Sequence, residues 1–183
     1  MFTKGFYSYV CDGDTITCTV DGFDCTATVH RDDDSTPPWK REDGHGPVSE
    51  YTSRDKNAGE RVLIADGNSK RYYDFAEAIK IAKRDGWYAE PFGTGTKAQR
   101  AERAVERDFA ALKAWCDDEW YYVAVAVTVS KNGIQLTGDF DHACWGTECN
   151  YLDGGNEHLT ELANEYLPEA LESARAAIAK LTA

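Results

Sequence analysis

The chain has 183 residues, of which 42% are hydrophobic, with five Trp, ten Tyr and seven Phe, enough apolar and aromatic material to bury the core of one domain of ordinary size. Its net charge of −12 disfavours nucleic acid and anionic lipid as partners and favours basic ones. The N-terminal MFTKGFYSYV lacks a signal-peptide pattern and the longest strongly apolar run, YYVAVAV, is too short to span a bilayer, so a cytoplasmic protein with no membrane partner is expected.

Charge is uneven along the chain: residues 1–60 net −6, residues 61–118 net +1 and residues 119–183 net −7. The first regular element is DTITCTVDGFDCTATVH, Asp14 to His30. Two alternating runs flank Asp21-Gly22, a strong short hairpin signal. A two-residue turn pairs Val20 with Phe23, Cys18 with Cys25 and Ile16 with Ala27, leaving the threonines on the other face. Cys18 and Cys25 then stand opposite each other at a hydrogen-bonded position, where the geometry suits a disulfide poorly, so they read as packed thiols. Six cysteines in a chain of this length without a signal peptide agree with that.

Residues 31 to about 60 contain Pro37-Pro38, scattered glycines and no hydrophobic period, which predicts a long irregular loop that Trp39 pins down. A short strand, Arg61 to Asp66, precedes a turn at Gly67-Asn68. In RYYDFAEAIKIAKRDGW, Asp74 and Glu77 have capping-box spacing, Phe75, Ile79 and Ala82 share a face, and Gly86 is placed to stop the helix. Thr96 and Gln99 are a second capping box, for a longer helix in which Ala101, Val105, Phe109, Leu112 and Cys116 keep helical spacing.

YYVAVAVTVSKNGIQLTGDF reads as a second hairpin around Asn132-Gly133. Its pattern puts Val123, Val125, Val127 and Val129 on one face with Leu136 and Phe140, and Tyr122, Ala124 and Ala126 on the other with Asp139 and Asp141. A last helix is expected from about Asn156 to Leu181, with Leu159, Leu162, Tyr166, Ala170, Ala174 and Ile178 inside and a kink or break at Pro168. The whole predicts a single α+β domain over 1–183, antiparallel hairpins forming a sheet with about three helices packed on it.

Each candidate site has an ordinary reading beside it. His142, Cys144, Cys149 and His158 are zinc-type ligands, but their spacing fits no strong pattern and His142 reads equally as a core histidine. Asp32, Asp33 and Asp34 lack the rest of a calcium loop and read as a solvated turn. Lys80, Lys83 and Arg84 share a helix face and, with Tyr72, Tyr73 and Trp87, resemble a nucleic-acid grip; the ordinary reading is the solvated side of an amphipathic helix. WCDDEWYY, Trp115 to Tyr122, groups carboxylates between aromatics, yet sits where exposed acids are common. No Ser-His-Asp or Cys-His constellation, phosphate loop or dinucleotide fingerprint occurs, so no catalytic residue and no cofactor is assigned, and an enzyme is the less favoured reading.

The segments GERVLIADGNSKRYYDFAEAIKIAKRDGW, WCDDEWYYVAVAVTVSKNGIQL and WGTECNYLDGGNEHLTELANEYLPEAL resemble a family of small uncharacterised proteins of tailed-bacteriophage and prophage genomes. The resemblance runs from about HGPVSEY to the C-terminus and leaves the first hairpin outside it. It carries over no catalytic residue. What it implies is a phage product made in the bacterial cytoplasm, and for an acidic phage protein the expected role is binding and inhibiting a host protein that has a basic surface. The contact candidates are then Asp32, Asp33, Asp34, Asp139, Asp141, Glu161 and Glu165. A nucleic-acid-binding factor using Lys80, Lys83 and Arg84 is the alternative, and a small metal protein or enzyme built on His142, Cys144, Cys149 and His158 is the second.

Overall fold

A computed structural model describes residues 1–41, 44–87, 94–152 and 154–182. The fold is α+β, with antiparallel sheets carrying helices. Its residues group into two compact units, one formed by Met1–Ser35 with Trp120–Ala183 and one by Thr36–Glu119; we call them unit 1 and unit 2.

Unit 1 begins with the expected hairpin, β1 (Thr15–Val20) and β2 (Phe23–Arg31), in the register read from the sequence: Val20 opposite Phe23, Cys18 opposite Cys25, Ile16 opposite Ala27. Asp21 and Gly22 both adopt positive φ, as the two-residue turn requires. β2 pairs with β5 (Tyr121–Lys131), setting Val29 opposite Val125 and Ala27 opposite Val127. The inner faces of these strands meet α4 (Glu157–Thr182) through Leu159, Ala163, Leu167, Ala170, Leu171 and Ala174. Val123, Val125, Val127 and Val129 are all buried there, each contributing about 1.5–3 kcal/mol.

The second hairpin departs from expectation. β6 is only Ile134–Gln135, and the chain then leaves the ladder. Thr137 Oγ1 accepts from the Val129 N–H, Gly138 N–H donates to Asp141 Oδ2 in a tight turn, and Val127 N–H returns to the His142 carbonyl. A strand absent from the sequence reading, β7 (Ala143–Cys149), then pairs with β5. Phe140 accordingly lies off the valine face, stacked edge-on to His30 with ring centroids 5.0 Å apart.

α4 runs as one helix through Pro168, so the break that the proline would impose does not occur. The proline still removes a helical N–H, and the continuous apolar face of α4 against the sheet compensates. The N-terminal segment is held to the same unit by side-chain amides: Phe2 N–H donates to Asn164 Oδ1, Val10 N–H to Asn150 Oδ1, and Asn156 Nδ2 to the Ser8 carbonyl.

Unit 2 is built on the hairpin of β3 (Glu60–Asp66) and β4 (Ser69–Asp74). The stretch expected as an irregular loop contains α1 (Pro38–Arg41) and bridges Val48 to Tyr73 and Thr52 to Lys70, adding ladder bonds beside β4; residues 42 and 43 lie outside the described residues. α2 (Phe75–Asp85) starts with the Asp74 carboxylate accepting from Glu77 N–H and ends on Gly86 in the left-handed conformation. α3 (Lys97–Cys116) has the full Thr96/Gln99 capping box. Leu63, Tyr73, Phe75, Ala78, Ala82, Ala101, Val105 and Leu112 form the core, and Trp39 packs edge-on to Trp115 at 5.4 Å.

A candidate acidic docking surface

The two units divide the charge very unequally. Each contains 16 Asp and Glu, but unit 2 has 15 Lys and Arg against 5 in unit 1, so unit 1 carries −11 of the net −12.

The densest part of that charge is on α4. Glu157, Glu161, Glu165 and Glu169 repeat every four residues and are all exposed, and no Lys or Arg occurs between Glu157 and Ala174. Residues four apart are neighbours on a helix surface, so each consecutive pair is repulsive and destabilises the helix by about 0.2–0.5 kcal/mol. Among the described residues none of the four has an ion-pair partner. The adjacent row of α4 leans on β7: His158 Nε2 lies 2.7 Å from the Glu148 carbonyl, and Tyr166 hydrogen-bonds Cys144, the chief cause that raises the Tyr166 hydroxyl above its ordinary pKa. One residue of offset turns a side chain by about 100°, which carries the glutamate row away from that contact and into solvent.

Asp139 and Asp141 belong to the turn before β7 and are exposed. Asp139 Oδ1 accepts from Gln135 Nε2 at 2.7 Å and Asp141 Oδ2 from Gly138 N–H at 2.8 Å, which among the described residues leaves one oxygen of each carboxylate uncommitted. Between them Phe140 is half exposed, and its ring centroid is 5.5 Å from that of Trp145, also half exposed. A β-bulge aims Trp145. Four residues of β7, Cys144 to Thr147, span three of β5, Val125 to Val123, so that Trp145 and Gly146 together oppose Ala124, and Gly146 takes the positive φ that such a bulge needs.

Asp32, Asp33 and Asp34 follow β2, two to four residues after His30, whose ring packs edge-on to Phe140. Asp32 N–H donates to the Tyr122 carbonyl, and Asp33 pairs with Arg31 at 3.1 Å.

The zinc-type residues do not converge. Among the described residues no group of three or more His, Cys, Asp or Glu side chains is placed to hold a metal. His158 is committed to the Glu148 carbonyl, and Cys149 is buried, its Sγ 3.9 Å from the Val10 carbonyl, where burial pushes its thiol up to about 12. His142 is 5% exposed with neither ring nitrogen hydrogen-bonded, so it is a core histidine without the partner that a satisfied one has. Cys18 and Cys25 are both thiols, and burial, then the neighbouring Cys18, push Cys25 up to about 11. On α2, Lys80 pairs with Glu77 at 2.7 Å and Arg84 with Asp85 at 2.6 Å, so two of the three cations on that face are already neutralised.

One polar centre escaped the sequence reading. In unit 2 the Asp108 carboxylate, its side chain 9% exposed, takes Tyr73 Oη at 2.6 Å, Gly46 N–H at 2.8 Å and His45 Nδ1 at 2.6 Å. Burial first, then the Asp108 charge, holds the Tyr73 hydroxyl protonated well above the ordinary tyrosine range. The centre clamps the segment before β3 onto α3. His45 and Asp108 stand 63 residues apart, and no local pattern links them.

Comparison with protein-family models, with curated proteins and with solved structures finds no match. Among the described residues no helix is long and apolar enough to cross a membrane.

Proposed function

We propose that this chain is a phage accessory protein that binds a basic surface of a host protein in the host cytoplasm, and inhibits it by occupying that surface. The setting rests on the resemblance of Gly59–Trp87, Trp115–Leu136 and Trp145–Leu171 to phage and prophage proteins. The binding mode rests on one observation above all: the glutamate row of α4, unpaired and self-repulsive, in a unit carrying −11. A basic partner converts that repulsion into attraction and gains association rate from the field of the whole unit. Glu161 and Glu165 sit in the row, Asp139 and Asp141 in the turn before β7, and Asp32 to Asp34 at the end of β2.

Capture from bacterial lysate with the wild-type chain and with a Glu157→Gln, Glu161→Gln, Glu165→Gln, Glu169→Gln variant tests this. The expected result is a basic protein retained by wild type, released by salt and lost from the variant. Equal capture by both, or capture that survives high salt, would sink the reading.

A further inference from the structure

Arginine, an aromatic ring and a carboxylate meet repeatedly in this molecule. Arg54 lies over Tyr72 at 4.7 Å and pairs with Glu60; Arg61 lies over Phe75 at 3.6 Å and pairs with Glu106; Arg71 lies over Tyr51 at 4.3 Å and pairs with Glu50. In unit 1, Arg31 covers Tyr121 at 4.6 Å and pairs with Asp33, and Arg175 lies 5.9 Å from the Phe23 ring centre and pairs with Asp21. The ring face attracts the flat guanidinium and the carboxylate takes its N–H groups, a match that lysine's point charge makes less well.

Phe140 and Trp145 have two parts of that arrangement, the rings and the carboxylates. Their rings are tilted 44° to one another, both are half exposed, and Asp139 and Asp141 flank Phe140, each with one oxygen uncommitted among the described residues. Among the described residues no Lys or Arg lies over either ring. Of unit 1's five cations, Lys4, Arg31, Lys131 and Arg175 already lie over other rings. Large exposed aromatics in a soluble surface mark interaction sites, and Trp is the best cation acceptor among them.

We propose that Phe140 and Trp145, with Asp139 and Asp141, form a subsite that receives an arginine side chain of the basic partner. The inference rests on the acidic-docking reading and adds to it a chemical preference, arginine over lysine, at a defined place. The carboxylates of unit 1 attract any cation; the aromatic pair selects the planar one.

Anisotropy of fluorescein-labelled nona-arginine, nona-lysine and nona-citrulline peptides at low salt tests it, using the full chain and the variants Trp145→Ala, Phe140→Ala and Glu161→Gln with Glu165→Gln. Wild type is expected to bind nona-arginine more tightly than nona-lysine and to ignore nona-citrulline. Trp145→Ala is expected to weaken nona-arginine by about two- to five-fold and to narrow the preference over lysine, whereas the glutamate variant weakens both cationic peptides alike. If Trp145→Ala loses the circular-dichroism signature of the fold, Trp145→Leu and the Asp139→Asn, Asp141→Asn pair carry the same comparison. Unchanged arginine preference in the folded aromatic variants overturns the subsite and leaves the docking reading standing. No binding of either cationic peptide by wild type overturns both.

Discussion

Unit 1 and unit 2 hold the same number of carboxylates and use them in different ways. In unit 2 the acids are answered from within: Glu60 by Arg54, Glu106 by Arg61, Glu50 by Lys40 and Arg71, Asp117 by Lys113, and Asp108 by Tyr73, His45 and Gly46. In unit 1 the core is a valine-rich sheet against α4, and most of the acids stand on the surface in excess of any cation. The difference separates two roles for one residue type. A paired carboxylate fixes the chain around it; an unpaired row costs stability.

The sharpest way to break this contrast is at Asp108. Asp108→Ala leaves Tyr73 Oη, His45 and the Gly46 N–H without their shared acceptor, and is expected to destabilise the protein by about 3–5 kcal/mol in urea denaturation. A cost below about 1 kcal/mol would mean that unit 2 does not depend on this centre. Gly46→Ala probes the same place sterically, since an added Cβ would come 2.3 Å from Tyr73 Oη, and is expected to cost about 1–3 kcal/mol. In unit 1 the opposite sign is expected: Pro168→Ala restores a helical N–H on an exposed position of α4 and should raise stability, by up to about 3 kcal/mol in the same measurement.

Acid titration sharpens the contrast next. The Arg54 guanidinium, and then the Asn57 backbone N–H, hold the Glu60 carboxyl down at about 2 against an ordinary 4.5. A depressed folded-state pKa means that the unfolded chain takes up the proton first, so the stability from this pair is complete above about pH 4.5 and is lost as pH falls toward 2. Glu60→Gln should flatten stability against pH across that window; an unchanged slope would show that the pair is inert. The smallest effect is expected on α4, where Glu161→Gln with Glu165→Gln removes three like-charge contacts and should stabilise by about 0.2–0.5 kcal/mol for each. A loss of stability there would mean the row is answered internally, against the docking reading.

What was legible in advance was local. The β1–β2 register, the start and stop of α2, and the Thr96/Gln99 cap of α3 depend on residues within a few positions of one another, and each appears as read. β4 is hidden in the sequence because SKRYYD mixes charge with aromatics and runs straight into the Asp74 helix cap. β7 was hidden because ACWGTEC contains a bulge at Gly146 that destroys its alternation. Phe140 was put on the wrong face for a related reason: an extended second arm assumed from Asn132-Gly133 ends after two residues, when the Thr137 side chain takes the place of a ladder bond. Of the candidate surface, Asp139, Asp141, Glu161 and Glu165 were named from sequence, while Trp145 and His30 were not, since only pairing across three strands brings them to Phe140.

The amino-acid sequence by itself therefore determined the α+β class, the first hairpin, the limits of α2, the start of α3, the approximate span of α4 and the excess of acid toward both chain ends, because these follow from composition and from contacts a few residues long. Tertiary structure alone decided that residues 1–35 and 120–183 form one unit, which gathers both acidic ends into a single −11 body. It also decided that Asp108 meets His45 across 63 residues, and that a bulge turns Trp145 toward Phe140. The physical reason is common to all three: such contacts form only when distant strands and helices bury their apolar faces together, and short-range pattern carries no record of which distant face is met.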